Sequence, residues 1–202
     1  IGLFGFVLIA FFVGSSLYKK NLSDKVALVA PSNLVRDYHP SLGDANAKVT
    51  LVEFLDPECE SCRHVHPMVK QIVKEYEGKV RLIIRYMPFH GNSFLAATYL
   101  EAARAQGKYW EALDLFFERQ PMWGDHHQPR PELLPGYLQE LGLDMALVQT
   151  FVESNQYSQK IINDQQDGIS LGVQQTPTFF VNGKKLDTIG YQQLKEAIER
   201  EL

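Results

Sequence analysis

Apolar residues are distributed along this chain in three different ways, and each predicts a different kind of element. From Ile1 to Leu17 they form one uncharged run with small residues, closed by Tyr18, Lys19 and Lys20. That length and those edge residues suit a bilayer crossing of about 20 residues or the hydrophobic part of a signal peptide. Lys19 and Lys20 flank the wrong end for an exported domain under the positive-inside rule, unless a basic segment precedes Ile1. Residues 21–47 then mix charges with Pro31, Pro40 and Gly43 around one short apolar patch, Val26 to Ala30. This reads as a linker or stalk with one edge strand.

Beyond it the apolar residues come in strand-length blocks and at helical spacing. Val49 to Leu55 does not alternate cleanly, which predicts a strand covered on both faces, and Val80 to Met87 is a second such block. Between them Val65, Met68, Val69, Ile72 and Val73 recur at helical spacing up to Gly78, with Pro67 expected to bend the helix. Strand, helix and strand in this order predict a parallel βαβ unit with a right-handed crossover. Residues 93–173 are helical throughout, with Pro131 starting one helix, Asp144 capping the next, and a polar loop at 121–130 holding Trp123, His126 and His127. Thr178 to Val181, Asn182-Gly183 and Lys184 to Leu186 predict a hairpin, and Tyr191 to Leu202 a closing helix. The insertion of about 80 residues exceeds any ordinary loop.

Composition narrows the function classes. A net charge of −4 leaves no basic footprint for nucleic acid, and 45% hydrophobic residues suffice for a packed core. The chain has two cysteines, so disulfides do not staple the fold. Both lie in Cys59-Glu60-Ser61-Cys62, directly after the first strand and at the start of the first helix. Backbone N–H groups and the helix dipole favour a thiolate there, lowering a cysteine pKa from ~8.5 toward neutrality or below. Such a pair exchanges electrons with other thiols. Glu53, a carboxylate inside the preceding strand, is expensive to bury without a partner or a task.

These residues together resemble the thioredoxin superfamily. Glu53, Pro57, the C-x-x-C at 59–62, Pro67 and Thr176-Pro177 before a hairpin carry the likeness. The helical insertion, Gly107-Lys108-Tyr109-Trp110 and Thr176-Pro177-Thr178-Phe179 are similar to the DsbA branch of bacterial envelope oxidoreductases, including its ScsC-like relatives. The resemblance implies an α/β thioredoxin-like fold over 48–202, with the helical insertion between the second and third core strands, behind a membrane or signal helix at 1–20 and the linker at 21–47. It implies a protein thiol–disulfide oxidoreductase with Cys59 as the attacking sulfur, Cys62 as the buried resolving one, and Glu53 relaying the proton that Cys62 exchanges. Thr176-Pro177 is then a cis peptide facing the cysteines. Thr176, Pro177, Glu60 and Ser61 are the substrate-contacting residues.

The resemblance further implies cysteine-containing exported proteins as substrates and a membrane partner that resets the active site. It places the domain on the periplasmic side of a bacterial inner membrane, anchored by the N-terminal helix. No cofactor or metal is expected beyond the redox-active Cys59–Cys62 disulfide. The dipeptide departs from the Pro-His or Pro-Tyr of DsbA-type oxidases. Asp56, Glu58 and Glu60 therefore predict a Cys59 pKa above that of strong oxidases, with Arg63 opposing, and hence a more reducing potential.

Each assignment has a plainer alternative. A bridge between residues three apart constrains the unfolded chain little, so a purely structural disulfide explains less than a redox pair. Glu53 could be satisfied by a nearby lysine. Cys59, Cys62 and His66 fall on one helical face and could hold copper or zinc, as in a copper chaperone, although a structural zinc needs four ligands. His64 points elsewhere on that helix, His126 and His127 read as surface residues, and Trp110 and Trp123 as core.

Overall fold

A computed structural model describes residues 34–202. The apolar run at 1–17, and with it the predicted membrane helix, lies outside the described residues. Among those described, no helix is long and apolar enough to cross a membrane.

Among the described residues five strands form one sheet: β1 (Ser41–Leu42), β2 (Val49–Leu55), β3 (Val80–Tyr86), β4 (Thr178–Val181) and β5 (Lys184–Lys185), in the spatial order β1-β3-β2-β4-β5. Strands β2 and β3 run parallel with Val49 opposite Val80 and Leu55 opposite Tyr86. Helix α1 (Glu60–Glu75) makes the crossover between them, as predicted, and carries Pro67 in its interior. The sheet is otherwise antiparallel, β4 lying on β2 and β5 on β4. The β4–β5 turn has Asn182 and Gly183 both at positive φ, 45° and 84°, the backbone that a two-residue hairpin needs.

The insertion comprises α2 (Ser93–Ala105), α3 (Tyr109–Glu118), the short α4 (Gln120–Trp123), a 3-10 turn at Pro131–Leu133, α5 (Leu134–Glu140), α6 (Met145–Glu153) and α7 (Ser158–Ser170). Asp144 caps α6 by accepting from the N–H groups of Ala146 and Leu147. The chain closes with α8 (Tyr191–Glu199). Part of the expected polar loop is structured: Trp123 is fully buried and donates its indole N–H to the Phe116 carbonyl at 2.8 Å.

The pleat divides the core. Val49, Leu51 and Leu55 of β2 join α1, α8 and most of the inserted helices in one large cluster. Val52 and Phe54 point to the opposite face, with Leu34, Ile83, Met87, Val173 and Phe180. Period-2 alternation therefore puts Glu53 on the face covered by α1, which carries the cysteines.

The folded domain, expected to span 48–202, extends further toward the N-terminus: the chain packs on the sheet from Leu34. Leu34 is buried, and β1 pairs antiparallel with β3, Ser41 opposite Ile83. His39 and Tyr38 reach Asp164 of α7, at 2.9 and 3.4 Å. Two-residue strands leave no periodicity to detect. The described part of the predicted linker thus belongs to the fold.

Candidate active site

Cys59 is the N-cap of α1, with extended backbone, and its carbonyl accepts the N–H of Arg63. Its neighbours hold the approach to the helix rigidly. Asp56 is fully buried and accepts from the N–H groups of Glu58, Phe89 and His90, from the Ser93 hydroxyl and from His90 Nδ1. Glu58, also buried, accepts from the Asn92 backbone and side chain at 2.7 and 2.8 Å. Gln120 of α4 donates to the carbonyls of Pro57 and Cys59.

The two sulfurs occupy unequal environments. Both are free thiols, Cys62 fully buried and Cys59 nearly so. The Cys62 thiol, donating to the Cys59 sulfur, pulls the Cys59 pKa down to about 5; burial opposes this, and the Thr176 side chain and the N–H groups of Cys62 and Ser61 assist. Burial pushes Cys62 well up, and the proximity of Cys59 and Glu53 adds to it.

Thr176-Pro177 is a cis peptide, and the Cys59 thiol donates to the Thr176 carbonyl at 3.3 Å. Glu53 is buried, and among the described residues neither of its carboxylate oxygens has a hydrogen-bond partner. Burial raises its pKa to about 8, and negative charge at Cys59 contributes. Among the described residues no lysine pairs with it, as the plainer alternative for this residue requires. Glu60, at the first position of α1, is exposed and accepts from His126 at 2.7 Å. Ser61 is likewise exposed beside it.

Two expectations need correction. The Cys59, Cys62 and His66 metal site does not assemble: the His66 ring packs on Phe117 at 5.0 Å and its Nε2 lies 2.7 Å from Asp114. The three carboxylates expected to oppose the Cys59 thiolate are otherwise engaged. Asp56 and Glu58 accept hydrogen bonds from inward backbone donors and Glu60 accepts one from His126, while His90, its pKa raised despite burial by its bond to Asp56, sits within the field of Cys59. Sequence reasoning missed His90, Ser93, Asn92 and Gln120. Only their convergence from separate segments marks them.

A family model described as Thioredoxin matches residues 36–200. The disulfide bond formation protein D of Bacillus subtilis is 30% identical over 175 residues, 81% of this chain and 77% of that protein. The Na(+)/H(+) antiporter NhaA of Herminiimonas arsenicoxydans is 34% identical over 144 residues, 71% of this chain and 22% of the antiporter. This chain spans between 22% and 30% of the length of the antiporters it matches. The crystal structure of a thioredoxin-like oxidoreductase from Silicibacter pomeroyi superposes with a TM-score of 0.74 at 28% identity, covering 85% of this chain and 97% of that one. The family model over most of the chain, and 30% identity to the disulfide bond formation protein over 77% of its length, show that the chain belongs to the thioredoxin family.

Proposed function

We propose that this domain exchanges disulfides with cysteine-containing exported proteins on the outer side of a bacterial membrane, and that a membrane redox partner resets its dithiol. The observation that carries the mechanism is the asymmetry of the pair: Cys59 favours the thiolate while Cys62, against a Glu53 without a hydrogen-bond partner among the described residues, holds its proton. Likeness to the disulfide bond formation protein and the apolar run at 1–17 support the location.

In the reducing direction the Cys59 thiolate attacks one sulfur of a substrate disulfide. A mixed disulfide forms as the other substrate sulfur leaves as thiolate and takes up a proton. Glu53, in its ionised form, accepts the Cys62 proton as the Cys62 sulfur attacks Cys59 Sγ; the second substrate sulfur leaves as thiolate and takes that proton from Glu53, leaving Cys59–Cys62 oxidised. Oxidation of a substrate dithiol runs the same steps backwards. Thr176, beside cis Pro177, offers backbone groups to an extended substrate segment, and Glu60 and Ser61 line its approach. No dissociable cofactor takes part.

The test is alkylation of the reduced protein between about pH 4 and 8. Cys59 should react far faster than Cys62, with a midpoint near the lowered Cys59 pKa of about 5. Cys62→Ser should trap mixed disulfides and Cys59→Ser should not. Equal rates for the two thiols would remove the mechanism. The lowering stops short of the ~3.5 of DsbA, so the reduced form is less stabilised. The reduction potential should accordingly be more reducing than about −120 mV, as suits a mild oxidase, an isomerase or a reductase.

A further inference from the structure

We propose that Glu60, His90 and His126 form a binding site for a divalent late first-row metal ion, zinc being the type, beside the dithiol and independent of it. The three residues come from separate segments: the first turn of α1, the β3–α2 loop and the loop after α4. One ligating atom from each lies within 4.8 Å of the other two. Glu60 Oε1 and His126 Nε2 are 2.7 Å apart, and the His90 and His126 rings lie 5.2 Å centre to centre.

His90 is oriented as a metal-bound histidine usually is. Its Nδ1 is held at 2.7 Å by Asp56, itself fully buried and fixed by three backbone donors. With Nδ1 so engaged, Nε2 is the nitrogen a metal would take in a carboxylate–histidine pair. Two imidazoles and one carboxylate suit zinc, copper(II) or nickel rather than magnesium or calcium, which take oxygen ligands. Glu60 and His126 are exposed, so both can swing to bonds of about 2.0–2.2 Å. Three protein ligands leave a fourth position open to water or an incoming ligand, as in exchangeable rather than structural sites. Cys59 and Cys62 are not part of the group.

The oxidised protein separates this site from the dithiol, because its disulfide offers no thiolate to a metal. Titration of the oxidised full chain with zinc, against a chromogenic competitor, should show one bound ion per chain. Glu60→Gln and His126→Ala should each weaken that affinity by more than about 10-fold, the range seen for altered metal surroundings. His127→Ala, an exposed neighbour outside the group, should leave it unchanged. Copper(II) bound to the unaltered oxidised chain should show nitrogen hyperfine coupling in its electron paramagnetic resonance spectrum. Binding by the reduced form alone, no binding at all, or affinity indifferent to Glu60→Gln and His126→Ala would each overturn the proposal, leaving Glu60–His126 a surface ion pair.

Discussion

Glu53 holds a proton to a higher pH than an ordinary carboxyl because both its oxygens are buried and, among the described residues, neither has a hydrogen-bond donor to compensate a charge. A carboxyl titrating near 8 is matched to a thiol that must lose and regain its proton near neutrality. Glu53→Gln keeps the shape and removes the base, so release of substrate from the mixed disulfide should slow by ~10²-fold, the lower end of general acid–base effects. Cys59 alkylation should change little. A release rate equal to that of the unaltered protein would show that solvent, not Glu53, serves Cys62. This residue was legible in the sequence because a carboxylate is out of place in an apolar strand. Asp56 and Glu58 were legible only as charges. Their burial depends on backbone N–H groups of the β3–α2 loop, which lie more than thirty positions away and leave no mark on local pattern.

At the scale of elements, strong periodicity made β2, α1, β3 and the hairpin readable almost to their ends, and Asp144 and Asn182-Gly183 announced their cap and turn chemically. What escaped was the attachment of the N-terminal segment. It is held largely by polar contacts to one helix: Asp164 of α7 accepts from His39, Tyr38, Arg85 and the Tyr86 N–H, and Asp167 accepts from Arg36 and Arg85. Arg85, fully buried in β3, also lies over the Phe54 ring at 5.0 Å. An ion network linking β1, β3 and the last inserted helix has no local signature, since its members are scattered singly. Asp164→Ala breaks a buried charge network, so it should cost about 3–5 kcal/mol and lower the urea midpoint accordingly. Proteolysis near β1 should also accelerate. A loss under ~1 kcal/mol would mean that apolar packing around Leu34 alone seats this segment. Gly168 makes the same interface close by another route: a Cβ there would lie 2.8 Å from Met87 Sδ and 3.1 Å from the Phe54 ring. Gly168→Val should cost about 1–3 kcal/mol by overpacking, read by the same denaturation.

For the whole molecule, stability and redox state are linked through the site's protons. Glu53 has its folded pKa raised from 4.5 to about 8, so it is protonated when folded and ionised when unfolded across that window. Its contribution is fully present below about 4.5 and is lost as pH rises through about 8, at about 1.4 kcal/mol per pKa unit. Cys59 has the opposite sign: lowered from 9.0 to about 5, it stabilises the reduced fold above 9.0, and that stability is lost as pH falls through about 5. In the reduced protein the two slopes oppose each other between about pH 5 and 8. Oxidation removes the Cys59 titration and leaves Glu53 with its burial. Other shifted groups, such as Glu101, raised to about 7 by burial, and His39, lowered by burial, are common to both forms and drop out of the comparison. The urea midpoint of the oxidised form should therefore fall from about pH 5 to 8, while that of the reduced form stays nearer level, so their difference widens in favour of the reduced form. Glu53→Gln should flatten the oxidised profile without closing that widening gap, because the gap belongs to Cys59. Parallel profiles for the two redox forms would show that Cys59 titrates alike in the folded and unfolded chain, and the asymmetry on which the exchange mechanism rests would fall with it.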